Sequence, residues 1–192
     1  MKIFLSPHCD DETLFGAYTI MREKPRVLVV TDGHAQQAKD KRLKFTAIDR
    51  RLETMEAMAM AGVEVDFFEI SDIGFEENLA MFREILGSYE AEKVYAPIIE
   101  GGNPIHDLVG AIAGEMFENV EYYSTYTKHR PYPYAEIAIV PDEEERALKL
   151  KMLDCYKTQK NLNSVKLYFE YAKRKPEYRS LLCSLSKTAE SS

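Results

Sequence analysis

The chain has 192 residues, 45% hydrophobic and 30% charged, which suffices for a continuous core and is too apolar for a disordered chain. Its 32 acidic and 25 basic side chains leave a net charge of −7, a poor basis for non-specific nucleic-acid binding, where each phosphate contact needs a cation. No apolar run approaches the ~20 residues of a membrane-spanning helix, and the apolar part of MKIFLSPHCDD is too short for a secretory signal.

Cys9, Cys155 and Cys183 are odd in number and widely spaced, so neither a disulfide framework nor a thiolate zinc cage is expected, and a reducing cytoplasm is the default compartment. In chain order, KIFLS (2–6), RVLVVT (26–31), VEVDFFEI (63–70), KVYAPII (93–99) and VEYYST (120–125) read as buried strands, each short, β-branched or aromatic, and bounded by turn or charged residues. Helical periods lie between them: 45–61, with Leu52, Met55 and Ala59 on one face; 76–87, with Leu79, Phe82 and Leu86; and 107–118, with Leu108, Ile112 and Met116. YAEIAIV (134–140) reads as an edge strand, and 142–160 and 164–174 as C-terminal helices, the first opened by Pro141 and Asp142. The Met55/Met58/Met60 cluster reads as core. This alternation predicts βαβ units, and hence a Rossmann-like three-layer α/β/α fold with a mainly parallel sheet. Residues 1–160 are expected to form the main domain and 161–192 a helical extension packed on it or flanking it.

In such sheets ligands bind beyond the carboxyl ends of the strands. Three chemistry-bearing clusters fall there: Ser6-Pro7-His8-Cys9-Asp10-Asp11-Glu12, Thr31-Asp32-Gly33-His34, and Glu100 to Asp107 with His106. Three of the four histidines therefore share one rim; His129 lies apart in a Tyr/Pro-rich loop. Adjacent carboxylates repel unless a proton or cation offsets them, and an imidazole beside them with a second from another strand end makes a borderline nitrogen and oxygen donor set. One carboxylate then binds while its neighbour serves the bound water as a base; Asp10 and Asp11 equally suit the positive end of a following helix dipole. Asn103-Pro104 reads as the N-cap and first residue of the helix carrying His106. The polar stretch 33–44 is a candidate site loop or a plain solvated connection, and Tyr122, Tyr123, Tyr126, Tyr132 and Tyr134 fit either sugar stacking or packing.

Together these elements resemble the PIG-L/LmbE-like zinc-dependent de-N-acetylases. The likeness rests on Pro7-His8-Cys9-Asp10-Asp11-Glu12, Thr31-Asp32-Gly33, Arg50 and Glu53 running into Ala61-Gly62, Pro104-Ile105-His106, and Lys151, Tyr156, Thr158 and Gln159, in order over residues 2–160. It implies one zinc per chain held by His8, Asp11 and His106, with Asp10 as general base, Arg50 and Asn103 facing substrate, and Glu12 supporting the ligands from behind. The implied reaction removes an acetyl or other acyl group from an N-acetylated amino-sugar or related small amide, by metal-activated water. Two departures stand out: Asn103 replaces the usual first His of His-Pro-Asp-His, keeping a hydrogen-bond donor without its charge, and Cys9 replaces a common Pro. His129 or Arg130 could supply the missing cation. The other reading is a metal-binding descendant of the same fold that binds a sugar-like ligand without catalysis; a magnesium phosphotransfer site fits less well, because hard Mg²⁺ prefers oxygen to imidazole. The expected partner is a small N-acetylated sugar-type substrate, with no nucleic acid, and a homo-oligomer is left open.

Overall fold

Five apolar runs become the parallel part of one sheet. In a computed structural model describing residues 1–34, 43–125 and 137–181, these are β1 (Lys2–Ser6), β2 (Arg26–Thr31), β3 (Val65–Ile70), β4 (Lys93–Pro97) and β5 (Val120–Tyr123). With the antiparallel β6 (Ile137–Ile139) and β7 (Glu177–Ser180), the strand order is β3-β2-β1-β4-β5-β7-β6. His129 and Arg130, Tyr126, Tyr132 and Tyr134, and most of the 33–44 stretch lie outside the described residues.

The expected α/β fold class is present. Alternate strand residues feed two apolar layers, because successive side chains of a strand point to opposite faces. Phe4, Val27, Val29 and Tyr95 pack with α1 (Asp11–Glu23), α2 (Ala47–Ala61), α5 (Glu143–Cys155) and α6 (Lys166–Arg174). Ile3, Leu5, Leu28, Val94 and Ala96 pack on the other face with α3 (Leu79–Gly87) and α4 (Pro104–Met116). Caps set the helix ends: Thr46 with Asp49 and Asp142 with Glu145 form capping boxes, and Gly62 closes α2 at φ +66°. Chain direction across the sheet reverses between β1 and β4, the switch point at which such sheets open a crevice. None of the described helices is long and apolar enough to cross a membrane.

Two expectations fail. The Leu52/Met55/Ala59 face of α2 points outward, with Leu52 56% and Met55 49% exposed, and Met60 is exposed as well. The buried face is Arg50, Thr54, Ala57, Met58 and Ala61, because the site draws an arginine and a threonine inward. Second, the C-terminal segment carries the expected helix as α6 but then adds β7, which was not anticipated and fills the sheet between β5 and β6.

β7 is locked by a buried ion pair. Lys149 Nζ lies 2.8 Å from Glu177 Oε1, with side-chain exposures of 1% and 0%. Glu177 accepts from the Tyr18 and Thr19 N–H groups of α1 at 2.9–3.2 Å, while Lys149 donates to the Leu14 carbonyl at 3.0 Å and sits 4.5 Å from the Tyr18 ring centre. Burial pushes the Lys149 pKa down, and Glu177 opposes that shift. The pair ties the last strand and α5 to the helix that leaves the site. Removing one partner strands a buried charge, so Lys149→Met is expected to lower stability by about 3–5 kcal/mol. Urea unfolding measures it, and a loss below about 1 kcal/mol would contradict this role.

A candidate metal centre at the β1/β4 switch point

The segment after β1 makes a tight turn before α1. Pro7 O accepts from both Thr31 N (3.0 Å) and Thr31 Oγ1 (2.8 Å), tying the turn to the end of β2. Asp10 then adopts φ +126°, ψ −27°, a region that side-chain-bearing residues rarely enter and that costs about 1–3 kcal/mol. Its carbonyl starts α1 by accepting from Thr13 N and Leu14 N, and its N–H donates to Glu12 Oε2 at 3.1 Å.

Glu12 is wholly buried and is the hub of this turn. Its Oε1 accepts from Tyr156 Oη and, at 3.2 Å, from Thr54 Oγ1. Ser6 Oγ lies 2.6 Å from Glu12 Oε2 and 2.7 Å from the His8 carbonyl, and accepts from Glu12 N at 3.1 Å. Burial raises the Glu12 pKa, while the Ser6 and Tyr156 hydroxyls oppose the shift. Thr158 donates to Glu53 through its N–H (2.9 Å) and hydroxyl (2.7 Å), so the late sequence element braces α2. The lysine matched at Lys151 is exposed; Lys149 is the buried one.

His8, Asp11 and His106 converge. Asp11 Oδ2 lies 3.0 Å from His8 Nδ1 and 3.0 Å from His106 Nε2, and the two ring nitrogens are 3.1 Å apart. Asp11 Oδ2 also accepts from His8 N at 2.9 Å. Burial works to raise the Asp11 pKa, but the His106 and His8 imidazoles outweigh it and hold the carboxyl well below the usual range. Asp10, in contrast, is raised by burial, with Arg50 opposing and Asp11 and Glu12 adding repulsion.

Three lone-pair atoms this close repel one another unless a proton or cation sits among them. Ligand atoms around a tetrahedral zinc with bonds of about 2.0–2.1 Å stand about 3.3 Å apart, so the observed triangle needs to open by only a few tenths of an ångström. His106 Nδ1 is buried without a hydrogen-bond partner among the described residues, which leaves it to carry the ring proton while Nε2 faces the centre. The donor set fits zinc. His34 is exposed, its N–H donating to Asp32 Oδ1 at 3.1 Å, and is not part of the triad. Burial pushes the Cys9 thiol up to about 12, and Cys9 packs in the core.

Arg50 is 3% exposed. Its Nη1 donates to Gly33 O (3.0 Å), its Nη2 to Cys9 O (2.6 Å), and the guanidinium lies 3.6 Å from Asp10 Oδ1. Gly33 has φ +69°, and a Cβ there would meet Arg50 Nη1 at 2.0 Å, so the Thr31-Asp32-Gly33 element makes room for this arginine. Asn103 caps α4, its Oδ1 accepting from Ile105 N at 3.0 Å, which leaves its amide NH₂ as the donor group. Arg50, Asn103, Asp10 and the triad all border one cavity of about 480 Å³. Tyr122 and Tyr123 belong to the core, Tyr123 stacking on Phe4 at 4.7 Å and donating to Leu5 O. The cavity also takes in Asp72, Phe15, Leu108, Val165 and Tyr168, none of them read from sequence as a site residue. Asp72 follows β3, so its strand-end position was a usable signal; Val165 and Tyr168 arrive from a distant helix and carried none.

Fold and site together define a three-layer α/β protein with a two-histidine, one-carboxylate candidate metal centre at its switch point. The sequence profile of the GlcNAc-PI de-N-acetylase family, PIG-L, matches residues 3–117, and the chain belongs to that family. No curated protein sequence matches it. Among solved structures it is similar to an N,N'-diacetylchitobiose deacetylase from Pyrococcus horikoshii (17% identity, TM-score 0.72, covering 98% of this chain and 85% of that one). A deacetylase triple mutant of the teicoplanin biosynthetic pathway is also similar (17%, 0.70, 93% and 98%). So is GalB, the 4-carboxy-2-hydroxymuconate hydratase of Pseudomonas putida KT2440 (14%, 0.66, 94% and 95%). At these identities the likeness establishes the fold.

Tyr156 tests the hub. Tyr156→Phe leaves a buried carboxylate oxygen short of a donor, with an expected loss of about 1–3 kcal/mol, read from the denaturant midpoint. A variant as stable as the parent would remove Tyr156 from the support of the turn.

Proposed function

We propose that the chain is a zinc-dependent hydrolase that removes an acetyl group from an N-acetylated amino-sugar or related small amide. The observation carrying this is the convergence of His8 Nδ1, Asp11 Oδ2 and His106 Nε2 within 3.0–3.1 Å, on a cavity that also holds Asp10. Family membership and the deacetylases among its structural neighbours support it.

His8, Asp11 and His106 hold the metal on this reading. A zinc held there would supply a Lewis acid able to polarise an amide carbonyl and to make water acidic enough to attack near neutral pH. Asp10 takes the proton of the attacking water and delivers it to the leaving nitrogen as the C–N bond breaks. Water and amide are thereby converted to a carboxylate and a protonated amine. Arg50 holds the Asp10 turn through Cys9 O and Gly33 O and borders the cavity, where its remaining role is substrate contact. The Asn103 amide offers a neutral donor to the developing oxyanion, in place of the charged one implied by the family motif. Glu12, Ser6 and Tyr156 keep the turn in its strained shape.

Purified without chelator, the protein is expected to carry about one zinc per chain by elemental analysis. Asp10→Asn is expected to abolish acetate release from N-acetylated sugars while retaining zinc, and His106→Ala to lose zinc. The assay holds zinc at one equivalent, because a zinc-inhibited form of the teicoplanin deacetylase exists among the structural relatives. Turnover by Asp10→Asn at the parental rate would end the general-base assignment. Failure of the zinc-loaded parent on every N-acetyl sugar and amide offered would favour the non-catalytic ligand-binding reading.

A further inference from the structure

The cavity crosses the rim in strand order, and its two ends differ chemically. Toward β3 it is bordered by the carboxylates of Asp72 and Glu76 with Phe75 between them; in the middle stand His8, Asp10 and Asp11 after β1; toward β4 it meets Asn103 and the first turn of α4. Ile105 and Leu108 of α4 stand on that β4 side, and Val165 and Tyr168 border the same cavity from the start of α6; all four are half-buried, partly packed into the core and partly lining the cavity. Phe15 joins the two helices' contributions: its ring lies edge-on to His106 at 6.5 Å and to Tyr168 at 6.2 Å. Phe15 and Tyr168 thus extend an apolar wall from a candidate metal ligand into the cavity that Ile105, Leu108 and Val165 also line.

Which half of a substrate meets that wall follows from where the proton returns. Asp10 is drawn toward β2 by Arg50, which is anchored on Gly33 O just past that strand. His106 comes from the β4 side, and β2 and β4 flank β1 on opposite sides. If Asp10 protonates the leaving nitrogen, the amine half lies toward β2 and β3, where carboxylates accept from sugar hydroxyls. The acyl half then lies toward β4. A methyl group there would leave most of the wall against water, whereas each further methylene would be removed from water.

Resting on the hydrolase reading above, we propose that the preferred substrate is an amide with a longer acyl chain than acetyl, of roughly four to eight carbons, seated on the Phe15/Ile105/Leu108/Val165/Tyr168 wall. The bond cleaved is the same amide bond, and the products are a short fatty acid and the free amine.

The test is a series of glucosamines N-acylated with acetyl, butyryl, hexanoyl and octanoyl groups, given to protein carrying one equivalent of zinc, with free amine as the readout. The expected kcat/KM rises by up to about fourfold per methylene over the first additions, giving hexanoyl at least about tenfold over acetyl. In Leu108→Ser and Tyr168→Ser the hexanoyl-to-acetyl ratio is expected to fall toward one; being internal to each preparation, it is insensitive to partial misfolding. Acetyl turned over as well as hexanoyl or better overturns the inference and leaves the hydrolase reading standing. An unchanged ratio in both variants also overturns it. Hydrolysis of none of the four, with zinc bound, overturns the reading on which it rests.

Discussion

One carboxylate oxygen within 3.0 Å of two imidazole nitrogens is the arrangement around which the rest of this site is built. It brings together the ends of β1 and β4, whose side chains are nearly a hundred positions apart in sequence. Such a cluster persists only if the chain is held against its own repulsion. The holding is done by buried hydrogen bonds rather than by surface charge: Glu12 takes the Asp10 N–H and the Tyr156 hydroxyl, Ser6 closes the turn, and Arg50 bridges Cys9 and Gly33. The strained Asp10 backbone is thus fixed from β1, α2 and the segment after α5. A buried polar network of this kind rigidifies when its members are satisfied, and the loss of any one is felt by the others.

The second constraint is distant from the centre and serves it. Lys149 and Glu177 form a dry ion pair whose remaining hydrogen bonds go to the backbone of α1. That fixes the helix running away from Asp11 and ties β7, in the sheet, to the helical layer that also holds α6. Val165 and Tyr168 reach the cavity by this route. The C-terminal segment therefore contributes both to the wall of the site and to the stability of the helix that begins it.

Much of this was legible in the sequence, and the exceptions have physical causes. β1, β2 and β4 declared themselves because they are buried on both faces and read as short, nearly continuous apolar runs. That His8, the Asp10-Asp11 pair and His106 would meet was legible because strand ends in a parallel sheet share one rim, while the choice of Asp11 over Asp10 rested on the family resemblance. β7 was not, since Glu-Tyr-Arg-Ser has no strand-like pattern; its place depends on pairing with β5 and β6 and on Lys149 meeting Glu177, both non-local. The inverted face of α2 has the same origin. Periodicity counts apolar side chains, and it had no means of knowing that Cys9 O, Gly33 O and Asp10 would draw Arg50 inward and turn Leu52 and Met55 to solvent. The hub role of Glu12 was hidden too, because its partners lie up to 144 positions away.

The most direct measurement is an anomalous difference map from crystals of the zinc-loaded protein, collected at the zinc absorption edge. A single strong peak within about 2.0–2.1 Å of His8 Nδ1, Asp11 Oδ2 and His106 Nε2 is the predicted result. A peak held by other residues, or density at the triad with no anomalous signal after loading, would contradict the metal centre and the hydrolytic chemistry built on it.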